Sequence, residues 1–362
     1  MSAPAQVEPD NLPSSRVNPG QPADQAEGTT MPGREEFALL ADPFRPELLA
    51  HCYRMLGSVQ DAEDQVQETL IRAWRSYGGF EGRASLRTWL YRIATNACLR
   101  ALENRSRRPL PSGLSAPGED LITPLASHPE VSWLQPIPDA MITADTADPA
   151  SVAVSRMSIR LALVAALQYL PPRQRAVLIL RDVLGWRAAE VAGMLEISTI
   201  AVNSALQRAR ENLRRIAPAQ DQINEPDDPE LLALVDKYAA AFENADVPAL
   251  TRLLSDDATF EMPPMPTWFA GREQIGRFLT AQVLRQPGDF TMLPVAANGQ
   301  PAFAVYLRES DGTHRAHAIQ VLTVSASRLV HVVSFNEPAL LATFGLPPAL
   351  PSGNARAGGT AQ

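Results

Sequence analysis

From Phe44 onward, apolar positions recur at helical spacing between short polar breaks. Phe44, Leu48, Leu49, Cys52, Met55 and Leu56 fall three or four residues apart and form one helical stripe. Gly57 supplies the left-handed residue that ends a helix. Ser58 opens a second helix, with Asp61 three positions on and Ala62, Val66, Leu70, Ala73 and Trp74 inward. The turn Gly78-Gly79-Phe80-Glu81-Gly82 separates it from a third helix, Ser85 to Glu103, with Leu86, Trp89, Leu90, Ile93, Ala97 and Cys98 inward. Helical periodicity returns at 151–216. Within it, Arg187–Leu195 places Ala188, Val191, Ala192 and Leu195 inward. Glu196-Ile197-Ser198 makes a turn, and Ser198 or Thr199 caps a helix ending near Arg215 with Val202, Ala205, Leu206, Ala209 and Leu213 inward. Beyond 230 the pattern changes to two amphipathic helices and then strand-like runs ending in Leu322–Phe335.

The intervening stretches divide the chain. Residues 1–33 are Pro-rich and unpatterned, so they are expected to be disordered, and translation starts at Met1 or Met31. Eight prolines between 109 and 150 mark a linker. One apolar island in it, Trp133 to Asp139, reads equally as a docking point or as chance hydrophobicity. Residues 347–362 are a Pro/Gly/Ala-rich tail, expected to be disordered. The expected order is therefore a helical domain at 34–108, the linker at 109–150, a second helical domain at 151–216, an α+β domain at 221–346, and the tail.

Charge changes the picture more than composition does. The net charge is −8, which argues against a nucleic-acid partner. Its distribution reverses that. Residues 81–108 carry seven Arg against two Glu, and 151–216 carry ten Arg against four acidic residues, whereas 221 onward holds sixteen acidic against nine basic residues. Basic segments are what phosphate binding requires. No apolar run approaches the roughly 20 residues of a membrane span, and no secretory leader is legible. Cys52 and Cys98 lack metal-ligand spacing. These features place the chain in the cytoplasm, with no metal or cofactor implied.

Three constellations carry chemistry. The pattern at 187–215 is a helix-turn-helix, whose second helix enters the major groove in DNA-binding proteins. Asn203, Ser204, Gln207 and Arg208 lie on its outer face and are types that read base edges or hold phosphates. The bland reading is an ordinary helical hairpin with a solvated face. Glu196 is odd where such turns favour Gly. Second, Asp61, Asp64 and Glu68 share one face of the helix after Ser58 and suit a basic partner, although a solvated stripe near a helix N-terminus is the default. Third, an aromatic residue in a Gly-flexed turn followed by an Arg-rich helix suits unstacked bases of a single strand.

Together and in this order, these runs resemble a known family. Asp61-Ala62-Glu63-Asp64-Gln65-Val66-Gln67-Glu68-Thr69 is similar to the core-polymerase-binding helix of sigma-70 family RNA polymerase sigma factors of the extracytoplasmic-function (ECF) type. Gly82 to Asn96 resembles their −10-element module, and Leu170-Pro171-Pro172-Arg173-Gln174-Arg175-Ala176-Val177 the start of their −35-reading domain. The resemblance implies that Asp61, Asp64 and Glu68 bind the β′ clamp helices of core polymerase. It further implies that Phe80, Arg92 and Asn96 take the −10 strand, and that Asn203, Ser204, Gln207 and Arg208 take the −35 element. Leu231–Asn244, Asp256–Pro263, Gly271–Leu279 and the run Glu261–Phe269 resemble a SnoaL-like, nuclear-transport-factor-2-like cone appended to such factors.

The expected architecture is thus two all-α sigma domains, the second a helix-turn-helix, followed by an α+β cone. The expected partners are core polymerase and promoter DNA; any anti-sigma factor stays unidentified. The cone offers a small-molecule site at Met262, Met265, Trp268, Phe269 and His317, and a route to regulation in cis. His314, His317 and His331 are its acid–base candidates by type. No Asp–His pair is legible, so a structural role is expected, with no catalytic residue and no enzyme. Two alternatives stay open: a one-component ligand-sensing helix-turn-helix regulator, and a SnoaL-like isomerase or cyclase fused to a DNA-binding region.

Overall fold

The computed structural model describes residues 34–82, 84–103, 106–143, 157–216 and 228–350. The expected disorder of 1–33 and of 351–362 lies outside them, as does Arg83; residues 347–350 of the expected tail are instead ordered, with Ala349 and Leu350 hydrogen-bonded into the sheet.

The first unit has four helices, α1 (Arg34–Ala41), α2 (Arg45–Leu56), α3 (Val59–Ser76) and α4 (Leu86–Leu102). Gly57 ends α2 with φ 70°, and the Ser58 hydroxyl accepts from the Asp61 amide at 3.2 Å to start α3. The short link orients α2 and α3 side by side. The second unit comprises α5 (Leu161–Leu167), α6 (Pro172–Leu178), α7 (Ala188–Leu195) and α8 (Thr199–Ile216). The turn between α7 and α8 has Glu196 at φ 55°. The Ser198 hydroxyl accepts from the Ala201 amide at 3.1 Å, which fixes the start of α8. Met194, absent from the expected inward set, is buried, while Leu195 is only half-buried.

The third unit pairs α9 (Pro229–Glu243), α10 (Val247–Leu253) and α11 (Arg272–Phe278) with a curved sheet. Its strands are β1 (Leu254–Glu261), β2 (Trp268–Ala270), β3 (Phe290–Ala297), β4 (Gln300–Arg308), β5 (His314–Ser325) and β6 (Arg328–Phe335), in the order β2-β1-β6-β5-β4-β3. Only β1 and β6 run parallel among these neighbours. A short α12 (Leu340–Thr343) precedes β7 (Ala349–Leu350), which pairs with β5.

Two cores hold the described chain together. One lies inside the cone, between its helices and the concave face of the sheet, around Phe242, Phe260, Phe278, Val305 and Val332. The other is continuous from α2–α4 through linker residues Leu110, Leu134 and Ile137 and α5–α8, to the other face of the sheet at Ala304, Tyr306, Ile319 and Val333. The helical units and the cone therefore share apolar surface removed from water.

The apolar island of the linker is part of that shared core. Leu134 and Ile137 are fully buried. The Gln135 amide donates to the Gly57 carbonyl at 3.1 Å, and the Tyr53 hydroxyl donates to the Gln135 carbonyl at 2.7 Å. Of the two readings left open for Trp133–Asp139, the structure takes the docking point.

Candidate functional site

The outer face of α8 is open. Asn203, Gln207 and Arg208 are exposed and Ser204 is half-buried. Val202, Ala205, Leu206 and Ala209 point the other way into the core. Arg210 is held aside by Asp182 at 2.6 Å. Helical spacing alone puts the four polar residues on one accessible strip.

The acidic face of α3 is mixed. Asp64 is exposed and borders a groove of about 750 Å³ together with Phe37, Arg45, Leu70 and Trp74. Asp61 instead bonds Arg108, the last residue of the first helical domain, at 2.6 Å, with the two side chains 14% and 17% exposed. Glu68 pairs with Arg72 one turn on.

The α4 face is partly covered: Asn96 and Phe80 are half-buried, while Arg92 stays exposed. Phe80 lies against Trp89 at 4.9 Å between ring centroids, with Tyr77 stacked beyond it at 5.9 Å. Trp89 is half-buried: it packs on the edge of the core, as its spacing predicts, and joins Phe80 and Tyr77 in an aromatic cluster at the head of α4. Asn96 donates from Nδ2 to the Met194 carbonyl at 3.5 Å, and Arg92 stands 3.9 Å from Glu196. Both partners belong to the helix-turn-helix. Nearby, Arg87 pairs with Glu47 at 2.7 Å and lies over the rings of Tyr91 and Trp186.

Two arginines stitch the helical units from inside. Arg54 is 2% exposed and donates to the Ser158 hydroxyl at 2.7 Å. Arg175, equally buried, donates to the Met55 carbonyl, to Gln168 Oε1 at 2.9 Å and to two backbone carbonyls. Burial lowers both guanidinium groups to about 10. Neither forms an ion pair with a carboxylate among the described residues, so this interface carries desolvated charge met only by neutral dipoles.

The hub of the contact is Asn298, at the tip of the β3–β4 hairpin. Asn298 and Gly299 have φ 58° and 64°, as the two-residue Asn-Gly hairpin requires. Asn298 is fully buried. Its Nδ2 donates to the Tyr53 hydroxyl at 2.8 Å and to the Ile159 carbonyl at 2.7 Å. Its Oδ1 accepts from the Ile137 amide at 3.0 Å, and its own amide donates to the Ile137 carbonyl. One cone residue thus joins α2, the linker and the segment leading into α5. Sequence reasoning missed it; the only signal was Asn-Gly, which announces a hairpin but not what the tip meets.

The linker also wraps the cone. Glu261, 2% exposed, accepts from the Ser112 amide at 2.8 Å, from the Ser112 hydroxyl at 3.1 Å and from His331 Nε2 at 2.8 Å. Burial alone would raise this carboxyl. The His331 bond and charge and the Ser112 donors outweigh it and hold it below the usual glutamate range. Gln282 Nε2 donates to the linker carbonyls of Leu121 and Thr123.

Of the cone residues singled out, Met262, Met265 and His317 line a cavity of about 510 Å³. Phe269 does not: it is buried against Phe278, with ring centroids 4.2 Å apart. Trp268 turns outward and donates to the Ser115 carbonyl of the linker at 2.9 Å. His314 bonds the Gly288 carbonyl and His331 bonds Glu261, so His317 alone of the three faces the cavity. Burial lowers His317 from its ordinary value.

A helix-turn-helix with an open outer face, a second helical unit and an appended cone are the architecture of a multidomain DNA-binding protein. Comparison with known proteins makes the class specific. Residues 40–108 match Sigma-70 region 2, residues 160–213 match Sigma-70 region 4, and residues 235–332 match the SnoaL-like domain. The chain is 50% identical over 332 residues to the ECF RNA polymerase sigma factor SigG of Mycobacterium tuberculosis, covering 91% of this chain and 87% of that one. It is 28% identical over 295 residues to SigJ of the same organism, covering 78% and 86%. The crystal structure of SigJ superposes with a TM-score of 0.58 at 23% identity, over 86% of this chain and 99% of that chain, which shows a shared fold. The chain belongs to the ECF family of RNA polymerase sigma factors. It binds core RNA polymerase and directs it to promoters. Among the described residues no helix is long and apolar enough to cross a membrane.

Proposed function

We propose that this sigma factor is held closed by its own cone, and that the closed form withholds the −10 reader while leaving the −35 reader free. Asp61, Asp64 and Glu68 are assigned to the β′ clamp helices, Phe80, Arg92 and Asn96 to the −10 strand, and Asn203, Ser204, Gln207 and Arg208 to the −35 element. The chain itself performs no chemistry in this reading; polymerase supplies it. Two units serve promoter recognition, at 34–108 and 151–216, and the cone at 221–346 serves control.

One observation carries the proposal: Asn298 of the cone hydrogen-bonds α2, the linker and the segment before α5 at once from a fully buried position. A ligand, partner or promoter that favours the open arrangement must replace those bonds. Asn298→Asp tests this. Asp tolerates the same positive φ, but its carboxylate cannot donate to the Ile159 carbonyl and buries a charge. The expected cost to the closed state is about 3 kcal/mol or more. Small-angle scattering of the full-length variant should show expansion, and transcription with core polymerase should rise. An unchanged radius of gyration together with unchanged transcription removes the proposal.

A further inference from the structure

The cone cavity combines three kinds of surface. Its floor is apolar and aromatic: Phe242, Phe260, Phe278 and Val305 line it from α9, α11 and the concave face of the sheet. One wall is polar and underused. Gln320 is 3% exposed and accepts from the Tyr238 hydroxyl at 3.0 Å, but its Nε2 has no hydrogen-bond partner among the described residues. Asn336 Oδ1 accepts from the Ser334 hydroxyl at 2.8 Å, and its Nδ2 has no hydrogen-bond partner among the described residues. His317 likewise has no hydrogen-bond partner there. These donors are open to the cavity, where water or an occupant can meet them. The mouth is charged: Arg285 and Arg308 border it, both exposed and neither in an ion pair among the described residues. Asp289 is the one acidic residue on the lining, and it caps the Gln286 amide at 3.1 Å.

We infer that the cavity binds a small amphipathic organic anion. Its apolar, ring-sized body fills the aromatic floor, its acceptor atoms meet the donors of Gln320 and Asn336, and its acidic end reaches Arg285 and Arg308. The cavity volume of about 510 Å³ falls in the range that encloses such molecules. Leu125 of the linker forms part of its wall, above the strap that Gln282 holds. An occupant therefore touches the linker as well as the cone. The inference rests on reading the cone as a ligand-binding module and adds the chemistry of the ligand.

Two fluorescent probes that share one body test it on the full-length chain. 8-Anilinonaphthalene-1-sulfonate carries the anion, and N-phenyl-1-naphthylamine lacks it. The anionic probe should bind about tenfold tighter, the scale of one charge-assisted contact. Arg285→Glu with Arg308→Glu should abolish that preference while leaving the neutral probe's affinity within twofold. Met265→Trp and Leu307→Trp, each checked by circular dichroism and melting, fill the cavity and should weaken both probes at least tenfold. If neither probe binds the folded wild-type chain, or if both Trp variants bind as wild type does, the cavity is no ligand site and the underlying reading falls too. If both probes bind equally and the Trp variants block them, the ligand-site reading stands and the anionic class is overturned.

Discussion

Helices α4 and α8 are alike on paper and opposite in situation. Each is amphipathic and Arg-bearing, and each carries polar residues assigned to promoter DNA. In α8 the apolar stripe docks into the core and Asn203, Gln207 and Arg208 face outward. In α4 the residues assigned to DNA lie on a second contact face: Asn96 meets the Met194 carbonyl and Arg92 meets Glu196, both from the other helical unit. A reading surface is thus set by what packs on it, not by the helix that carries it. On the proposed assignments, duplex −35 DNA would meet α8 as it stands, whereas a melted −10 strand would first have to displace α7 and its turn.

Acid pH should sharpen the contrast most, because the buried titratable histidine lies on the α4 side. His51 is fully buried beneath α4. Thr95 spends its hydroxyl proton on the Tyr91 carbonyl at 2.7 Å, so His51 Nε2 donates to Thr95 Oγ1 at 2.9 Å and Nδ1 stands without a partner. Burial, and then the charge of Arg54, lower the imidazole from 6.5 to about 3. A lowered folded pKa means the unfolded chain takes up the proton first. Stability is therefore full above 6.5 and falls as pH drops from there toward 3, by about 1.4 kcal/mol per unit. Between pH 6.5 and 4.5 urea melts should register a loss of about 2.3 kcal/mol that His51→Gln, which keeps the donor to Thr95, does not show. Parallel pH curves for the two proteins would sink the assignment.

Next in size is the docking face. Asp64 is exposed whereas Asp61 is spent on Arg108, so the two are expected to separate. Asp64→Lys should weaken binding to core polymerase by about 1.5–3 kcal/mol, roughly ten- to a hundredfold, with melting unchanged. Undiminished affinity in a binding titration would move the polymerase contact elsewhere on the chain. The −35 face should follow at about 1–3 kcal/mol per lost base contact. Gln207→Ala and Asn203→Ala are expected to relax preference between cognate and scrambled −35 duplexes in an electrophoretic shift assay. Ratios equal to wild type would mean that α8 is turned the wrong way.

What was legible follows from which interactions are local. The helix-turn-helix, the Ser58 start of α3 and the Gly57 end of α2 rest on contacts within four residues, and periodicity and capping chemistry report those. The island at Trp133–Asp139 was visible as apolar residues in a Pro-rich stretch, but its destination was not. The buried polar contacts were hidden. Glu261 and His331 lie 70 residues apart in the chain yet 2.8 Å apart in space, and Asn298 reaches Tyr53 across 245 positions. Trp268 and Phe269 were picked for the cavity by residue type. Being adjacent on strand β2, they point to opposite faces, and neither faces the cavity.

Glu196 supplies the smallest and most discriminating expectation. It occupies the turn of the helix-turn-helix at φ 55°, a conformation that costs a residue with a Cβ about 1–2 kcal/mol and glycine almost nothing. Its carboxylate stands 3.9 Å from Arg92, with the two side chains 77% and 53% exposed. Water and salt screen such a pair, which is worth less than about 1 kcal/mol. If the turn geometry is what matters, Glu196→Gly relieves strain and loses little. The melting temperature should then rise by about 2–4 °C, and transcription from a −10-dependent promoter should stay within twofold of wild type. The covering of α4 would then rest on the buried contacts at Asn298, Arg54 and Arg175 rather than on the surface pair. A several-fold gain in transcription without a gain in melting temperature would reverse that ranking, and would make the Glu196–Arg92 pair the latch over the −10 reader.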